Sequence, residues 1–185
     1  MRGWVAGEAA PILLCSDEEA VETRVTSVRA ETRIDRSCSQ VWEILADLGT
    51  VSLWDPGVAE SRQTSADGGQ GATRYCRLHS RRRKTIGYME ERASRWREGQ
   101  GVVFEVYDTN MPVTSHVIAY ELDEDGDGTV VRAEREYELK YGPLGRLADS
   151  LTGRRRMERG TRELLAGLKH YAETGEPIEA QAPPS

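Results

Sequence analysis

The chain has 185 residues, 38% of them hydrophobic and 30% charged, with a formal net charge of −6 and three cysteines. That length suits one domain with loose ends, and the acidic balance speaks against a nucleic-acid partner. No apolar run approaches the ~20 residues of a membrane span, and Cys15, Cys38 and Cys76 are scattered with no CxxC and no nearby histidine, a pattern of a reducing cytoplasm and not of a disulfide framework or a metal site.

Residues 1–20 read as a flexible lead-in. Pro11–Cys15 lacks the long apolar stretch and the small residue before cysteine that a lipoprotein signal needs. The folded domain is expected over 21–173, and the tail 174–185, with three prolines and no periodicity, is expected to be disordered. Val28, Ala30, Thr32 and Ile34 alternate with polar neighbours, predicting a first strand. Ser37 with Gln40 forms a capping-box pattern before a helix over Ser39–Leu48, with Gly49 as its stop. Val51–Val58 is a short helix or turn closed by Asp55-Pro56-Gly57.

Six strands follow at intervals of about ten residues, near Ala59–Ser65, Ala72–His79, Thr85–Trp96, Val102–Thr109, Thr114–Leu122 and Thr129–Tyr141. Short turns such as Asp67-Gly68-Gly69 and Glu98–Gly101 imply an antiparallel meander, because parallel pairs need long crossovers. The basic run Arg81–Lys84 falls on a turn of that meander, and Arg154–Arg156 falls on a helix whose geometry spreads the charges around the axis. Asp123-Glu124-Asp125-Gly126-Asp127-Gly128 through Glu134 matches the EF-hand loop pattern. Its β-rich flanks make it a hairpin turn, with incidental calcium binding left open.

The last segment, Pro143 to about Tyr171, reads as one helix or two pieces with a break near Thr152-Gly153. Met157, Leu164, Leu168 and Tyr171 share a face with Gly153, Gly160 and Gly167. A buried-face glycine costs helix stability, so these three make room either for a closely crossing segment or for a ligand. Alternation places Arg74, Cys76 and Leu78 on the inner face of one strand, His116 and Tyr120 on another, and Arg135 and Tyr137 on the last. Phe104 adds apolar wall, Tyr88 and Glu90 lie together on a strand of ambiguous face, and Met157, Gly160 and Leu164 come from the helix. Buried charges of this kind either pair with one another or line a pocket. No nucleophile signature, phosphate loop or metal cluster is legible, and no cofactor is expected.

Several segments together resemble the START-like helix-grip superfamily (SRPBCC), most closely its polyketide cyclase/dehydrase-like branch. They are Arg33-Ile34-Asp35, Val41–Asp47, Trp54–Val58, Gly71–Tyr75, Glu91-Arg92, Met111-Pro112, Gly128-Thr129 and Leu164–Lys169. The resemblance covers about Val25–Glu173 and implies an α+β fold: a curved antiparallel sheet of about seven strands around a long C-terminal helix, with a cavity between them. It implies a small hydrophobic, lipid-like or polyketide ligand, and in some members acid–base cyclisation without metal. It carries over no catalytic residue. A carrier, a cyclase-like enzyme and an accessory protein with a vestigial cavity all stay open, as does a homodimer.

Overall fold

The computed structural model describes residues 25–79, 84–140 and 153–178. Strand β1, Thr26–Ile34, points Val28 and Ile34 into the core. Ser37 then caps helix α1, Cys38–Ala46: its Oγ accepts the Gln40 N–H, and Gln40 Oε1 accepts the Ser37 N–H in return. The helix buries Val41, Trp42 and Leu45. It stops two residues earlier than its pattern suggests. Asp47 turns extended, and its carboxylate accepts the Gly49 N–H at 3.1 Å, so Gly49 is not needed in a left-handed conformation and does not adopt one. Helix α2 is the single turn Val51–Trp54, closed by Asp55, whose carboxylate accepts the Gly57 N–H at 2.8 Å.

Strands β2 (Val58–Gln63), β3 (Thr73–His79), β4 (Thr85–Arg97), β5 (Gly101–Thr109), β6 (Val113–Asp125) and β7 (Gly128–Leu139) follow. They form one antiparallel sheet in the order β1-β7-β6-β5-β4-β3-β2. β1 and β2 are therefore opposite edges, and α1 and α2 cross between them. The final helix α3, Arg154–Thr174, lies against β1, β7, α1 and α2. Its Leu164, Leu165 and Leu168 are almost fully buried, each contributing about 1.5–3 kcal/mol of transfer free energy. Trp42 meets Trp96 edge-on at 4.9 Å, and Trp54 meets Tyr120 in the same way at 6.3 Å.

The acidic turn is a two-residue hairpin loop, with Asp125 opposite Gly128 and Gly126 at φ 61°. Three of its carboxylates pair with arginines. Arg33 pairs with Asp125 at 2.7 Å, Arg132 pairs with Asp123, and Glu134, well down β7, pairs with Arg29 at 2.8 Å. The described start of the tail, as far as Ile178, continues the fold. Helix α3 runs through Thr174, Gly175 closes it at φ 75°, and the Ile178 N–H donates to Leu53 O at 2.9 Å. The chain is thus tied to α2 as far as Ile178. The lead-in, the Arg81–Arg83 run and the stretch 141–152, where the sequence pattern starts and bends the last helix, lie outside the described residues.

The helix glycines divide in purpose. A Cβ on Gly167 would sit 2.0 Å from Trp54 O, so this position lets α3 pass the backbone of α2. A Cβ on Gly160 would meet only Arg135 Nη1, at 3.9 Å. Gly167→Ala should therefore destabilise the protein by roughly 1–3 kcal/mol through overpacking. Gly160→Ala should be neutral or stabilising by up to about 1 kcal/mol through helix propensity. Urea unfolding of the two variants checks the contrast.

Candidate functional site

The concave face of the sheet, α2 and the first turn of α3 border an open hollow of about 300 Å³, at the lower end of the range for small-molecule sites. Its walls are apolar: Val51, Val58, Leu78, Met89, Ile118 and Met157. Set among them are Asp55, Arg74, Glu91, His116, Tyr120 and Arg135, and the lining also includes Gly57, Cys76, His79, Ile86 and Arg156.

Strand register makes the first charged pair. Arg74 on β3 is directly opposite Glu91 on β4, and Arg74 Nε donates to Glu91 Oε2 at 2.6 Å with side chains only 4% and 8% exposed. The Arg74 guanidinium also lies 3.8 Å over the Phe104 ring. Burial alone would push the Glu91 carboxyl up. The charge and hydrogen bond of Arg74, backed by His116 and Arg135, outweigh burial and hold it below its usual value. Cys76 Sγ lies 3.8 Å from the same carboxylate. Burial pushes this thiol up to about 12 despite Arg74, so it is no nucleophile at neutral pH.

The second pair is looser. Arg135 Nη2 is 3.6 Å from Asp55 Oδ2, and Nη1 is 3.8 Å from Met157 Sδ. Burial raises the Asp55 carboxyl, and Arg135 only partly offsets it. Arg135 Nε is buried with no hydrogen-bond partner among the described residues.

His116 is 8% exposed, and both of its ring nitrogens are likewise without a partner among the described residues. It is opposite Tyr137 on β7, while Ile118 is opposite Arg135. His116 and Arg135 are therefore diagonal neighbours on one face, about 7–8 Å apart across the strand pair. Burial, then the Arg135 charge, pull the imidazole down from 6.5 to about 4 against the opposing pull of Glu91. The ring is neutral at pH 7 and carries one donor and one acceptor. Burial also pushes the Tyr120 hydroxyl up, so it stays protonated.

Of the residues picked out by alternation, the hollow brings together Arg74, Cys76, Leu78, His116, Tyr120, Arg135 and Met157. Phe104, Tyr137 and Leu164 are core residues behind it, and Gly160 faces Arg135 without lining it. Tyr88 and Glu90 are corrections: they belong to the convex face, where Tyr88 bonds Asp108 and stacks on Tyr75, and Glu90 accepts from Tyr107. Gly87, Met89, Glu91 and Ala93 point inward instead. The parity of Met89 and Ala93 is the signal that finds Glu91. Asp55 carries no such signal, because its residue type is equally that of a helix stop. Among the described residues no group of three histidine, cysteine or acidic side chains is placed to hold a metal ion, and no helix is long and apolar enough to cross a membrane.

A curled seven-stranded antiparallel sheet closed by a C-terminal helix, with two short helices after the first strand, defines a helix-grip protein. The chain belongs to the polyketide cyclase/dehydrase and lipid transport family, whose model matches residues 25–173. The fold is similar to that of TTHA0849 from Thermus thermophilus, with 20% identity and a TM-score of 0.68 over 80% of this chain and 97% of that one. It is also similar to a START superfamily protein from Mycobacterium smegmatis, with 15% identity and a TM-score of 0.61 over 78% and 97%. CalU16 from Micromonospora echinospora shares 15% identity at a TM-score of 0.56 over 82% and 78%. No curated protein matches the sequence.

Two outcomes test the electrostatics. Glu91→Gln should cost about 3–5 kcal/mol by stranding the Arg74 charge, and Arg74→Met with Glu91→Leu should recover most of it; urea unfolding of both variants decides. The unfolded chain takes up the His116 proton near 6.5 and the folded one near 4. Between these values the unfolded state binds more protons, so folding stability falls as pH falls. The loss between about pH 7 and about pH 4 is roughly 3 kcal/mol, and it should be missing from the stability–pH curve of His116→Phe.

Proposed function

We propose that this protein binds a small, largely apolar molecule, lipid-like or polyketide-like, in the hollow between the sheet and α3. The observation that carries this reading is His116, buried in the hollow's lining with two ring nitrogens that no described residue satisfies. A buried polar group without a partner costs about 1–3 kcal/mol, and a ligand that supplies the missing partner recovers that cost on binding. The apolar walls supply the remainder of the affinity through area removed from water. Family membership supports the same reading.

A second reading, acid–base catalysis of the cyclase/dehydrase kind, is favoured by the neutral state of the same histidine beside Arg135. A neutral imidazole can accept a proton from carbon next to a carbonyl, and a guanidinium can hold the enolate oxygen that results. Binding and catalysis would then share one site. The accessory-protein reading has no comparable support, since a vestigial cavity gives no reason to keep a buried histidine unsatisfied.

Native mass spectrometry of the purified protein, with organic extraction of the same sample, is the test. A small apolar molecule should copurify, and Leu78→Trp, which fills the hollow, should release it without unfolding the protein. An empty protein that also fails to take up any member of a fatty-acid and aromatic-ketone panel would overturn the proposal.

A further inference from the structure

The hollow has a surplus of donors and of positive charge. Among the described residues three guanidinium groups line it, Arg74, Arg135 and Arg156, against two carboxylates, Asp55 and Glu91, which leaves one cation in excess. Arginine keeps its proton throughout the accessible pH range. Glu91 is committed to Arg74 at 2.6 Å, and Asp55 lies with Arg135 at 3.6 Å. Among the described residues no lining carboxylate is therefore left to receive a ligand's ammonium group. Donors, by contrast, are left over. Arg135 Nε–H has no partner among the described residues, and neither does the single N–H of the neutral His116 ring. Arg156 adds charge at the helix side of the hollow, next to Met157, and is itself exposed.

Resting on the binding reading above, we infer that the ligand carries an anionic oxygen, a carboxylate or the enolate of a β-dicarbonyl, and seats it between Arg135 and His116 with its apolar body against Val51, Leu78, Met89 and Ile118. Arg135 Nε–H and one His116 N–H donate to that oxygen. The Arg135–Asp55 pair is the adjustable element: at 3.6 Å it is no tight ion pair, so the guanidinium can turn to the ligand without stranding Asp55. The Arg74–Glu91 pair stays closed and sets the floor. An alcohol or ester of the same chain length keeps the apolar contacts but loses the charge-assisted hydrogen bonds. An amine places a second cation against Arg135 and Arg156.

The experiment is calorimetric titration of the full chain at neutral pH with decanoate, decanol, methyl decanoate and decylamine, each below its aggregation concentration, with the enolate-forming acetylacetone derivative 2,4-decanedione as a fifth probe. Decanoate or the dione should bind roughly tenfold to a hundredfold more tightly than decanol and the ester, the worth of one or two charge-assisted hydrogen bonds, and decylamine should be weakest. His116→Gln should narrow the gap between decanoate and decanol while leaving decanol unchanged. Arg135→Met alone strands Asp55, so it is made together with Asp55→Asn, and that double variant should erase the preference. Equal binding of decanoate, decanol and decylamine would overturn the anionic-oxygen assignment while leaving a bound apolar molecule standing. Failure of all five probes, with nothing copurifying, would overturn both.

Discussion

A guanidinium cannot sit alone on an apolar face, and the rest of this structure is arranged around that constraint. Two arginines, Arg74 and Arg135, point into the concave side of the sheet, and each has been given a carboxylate by a different device. For Arg74 the device is register: β3 and β4 put Glu91 directly across from it. For Arg135 it is the helical turn α2, whose closing residue Asp55 reaches in from the far side of the hollow. The first device is rigid and the second adjustable, because the register of paired strands cannot drift while a one-turn helix can shift by fractions of an ångström. The bond lengths, 2.6 Å against 3.6 Å, follow that difference.

The second device ties the site to the core. Asp55 is where it is because α2 is held: Gly167 lets α3 cross the backbone at Trp54, the Ile178 N–H bonds Leu53 O, the Ser52 N–H bonds Ser61 Oγ, and the Trp54 ring stands edge-on to Tyr120. Leu164, Leu165 and Leu168 fix α3 itself. Packing in the closed half of the molecule thus sets the electrostatics of the open half, where Met157 and Arg156 of the same helix line the hollow.

The order of elements is readable from local signals because each signal has a short-range cause. Ser37 and Gln40 bond each other across three residues, and the hairpin at Gly126 needs a positive φ that glycine permits. The inner faces of β3, β6 and β7 are readable because the larger apolar side chains keep one parity along each strand: Cys76 and Leu78, then Ile118, Tyr120 and Leu122, then Val131, Ala133 and Tyr137. Strand β4 is not. It carries register shifts at Glu90/Glu91 and Ala93/Arg95, and Ile86 and Tyr88 compete with Met89 and Ala93 for the apolar parity, so the pattern leaves the face of Tyr88 and Glu90 undecided. Asp55 is hidden for another reason. Its partner Arg135 is eighty residues away in the chain, and no local pattern reports such a pairing. The glycine spacing of the last helix is visible, but its meaning is divided, since only Gly167 meets a crossing backbone.

His116 is what separates this face from a merely well-paired one. Arg74, Glu91 and Asp55 are paired and Arg135 lacks a partner only at Nε, while this ring lies buried, neutral and with neither nitrogen partnered among the described residues. The direct measurement is the nitrogen-15 spectrum of the histidine imidazoles at neutral pH, recorded before and after saturation with a bound ligand such as decanoate. The account predicts a neutral His116 ring whose nitrogen resonances move on saturation while those of His170, exposed on α3, stay in place. A His116 signal that is already protonated at neutral pH, or that does not move while the ligand demonstrably binds, would contradict it.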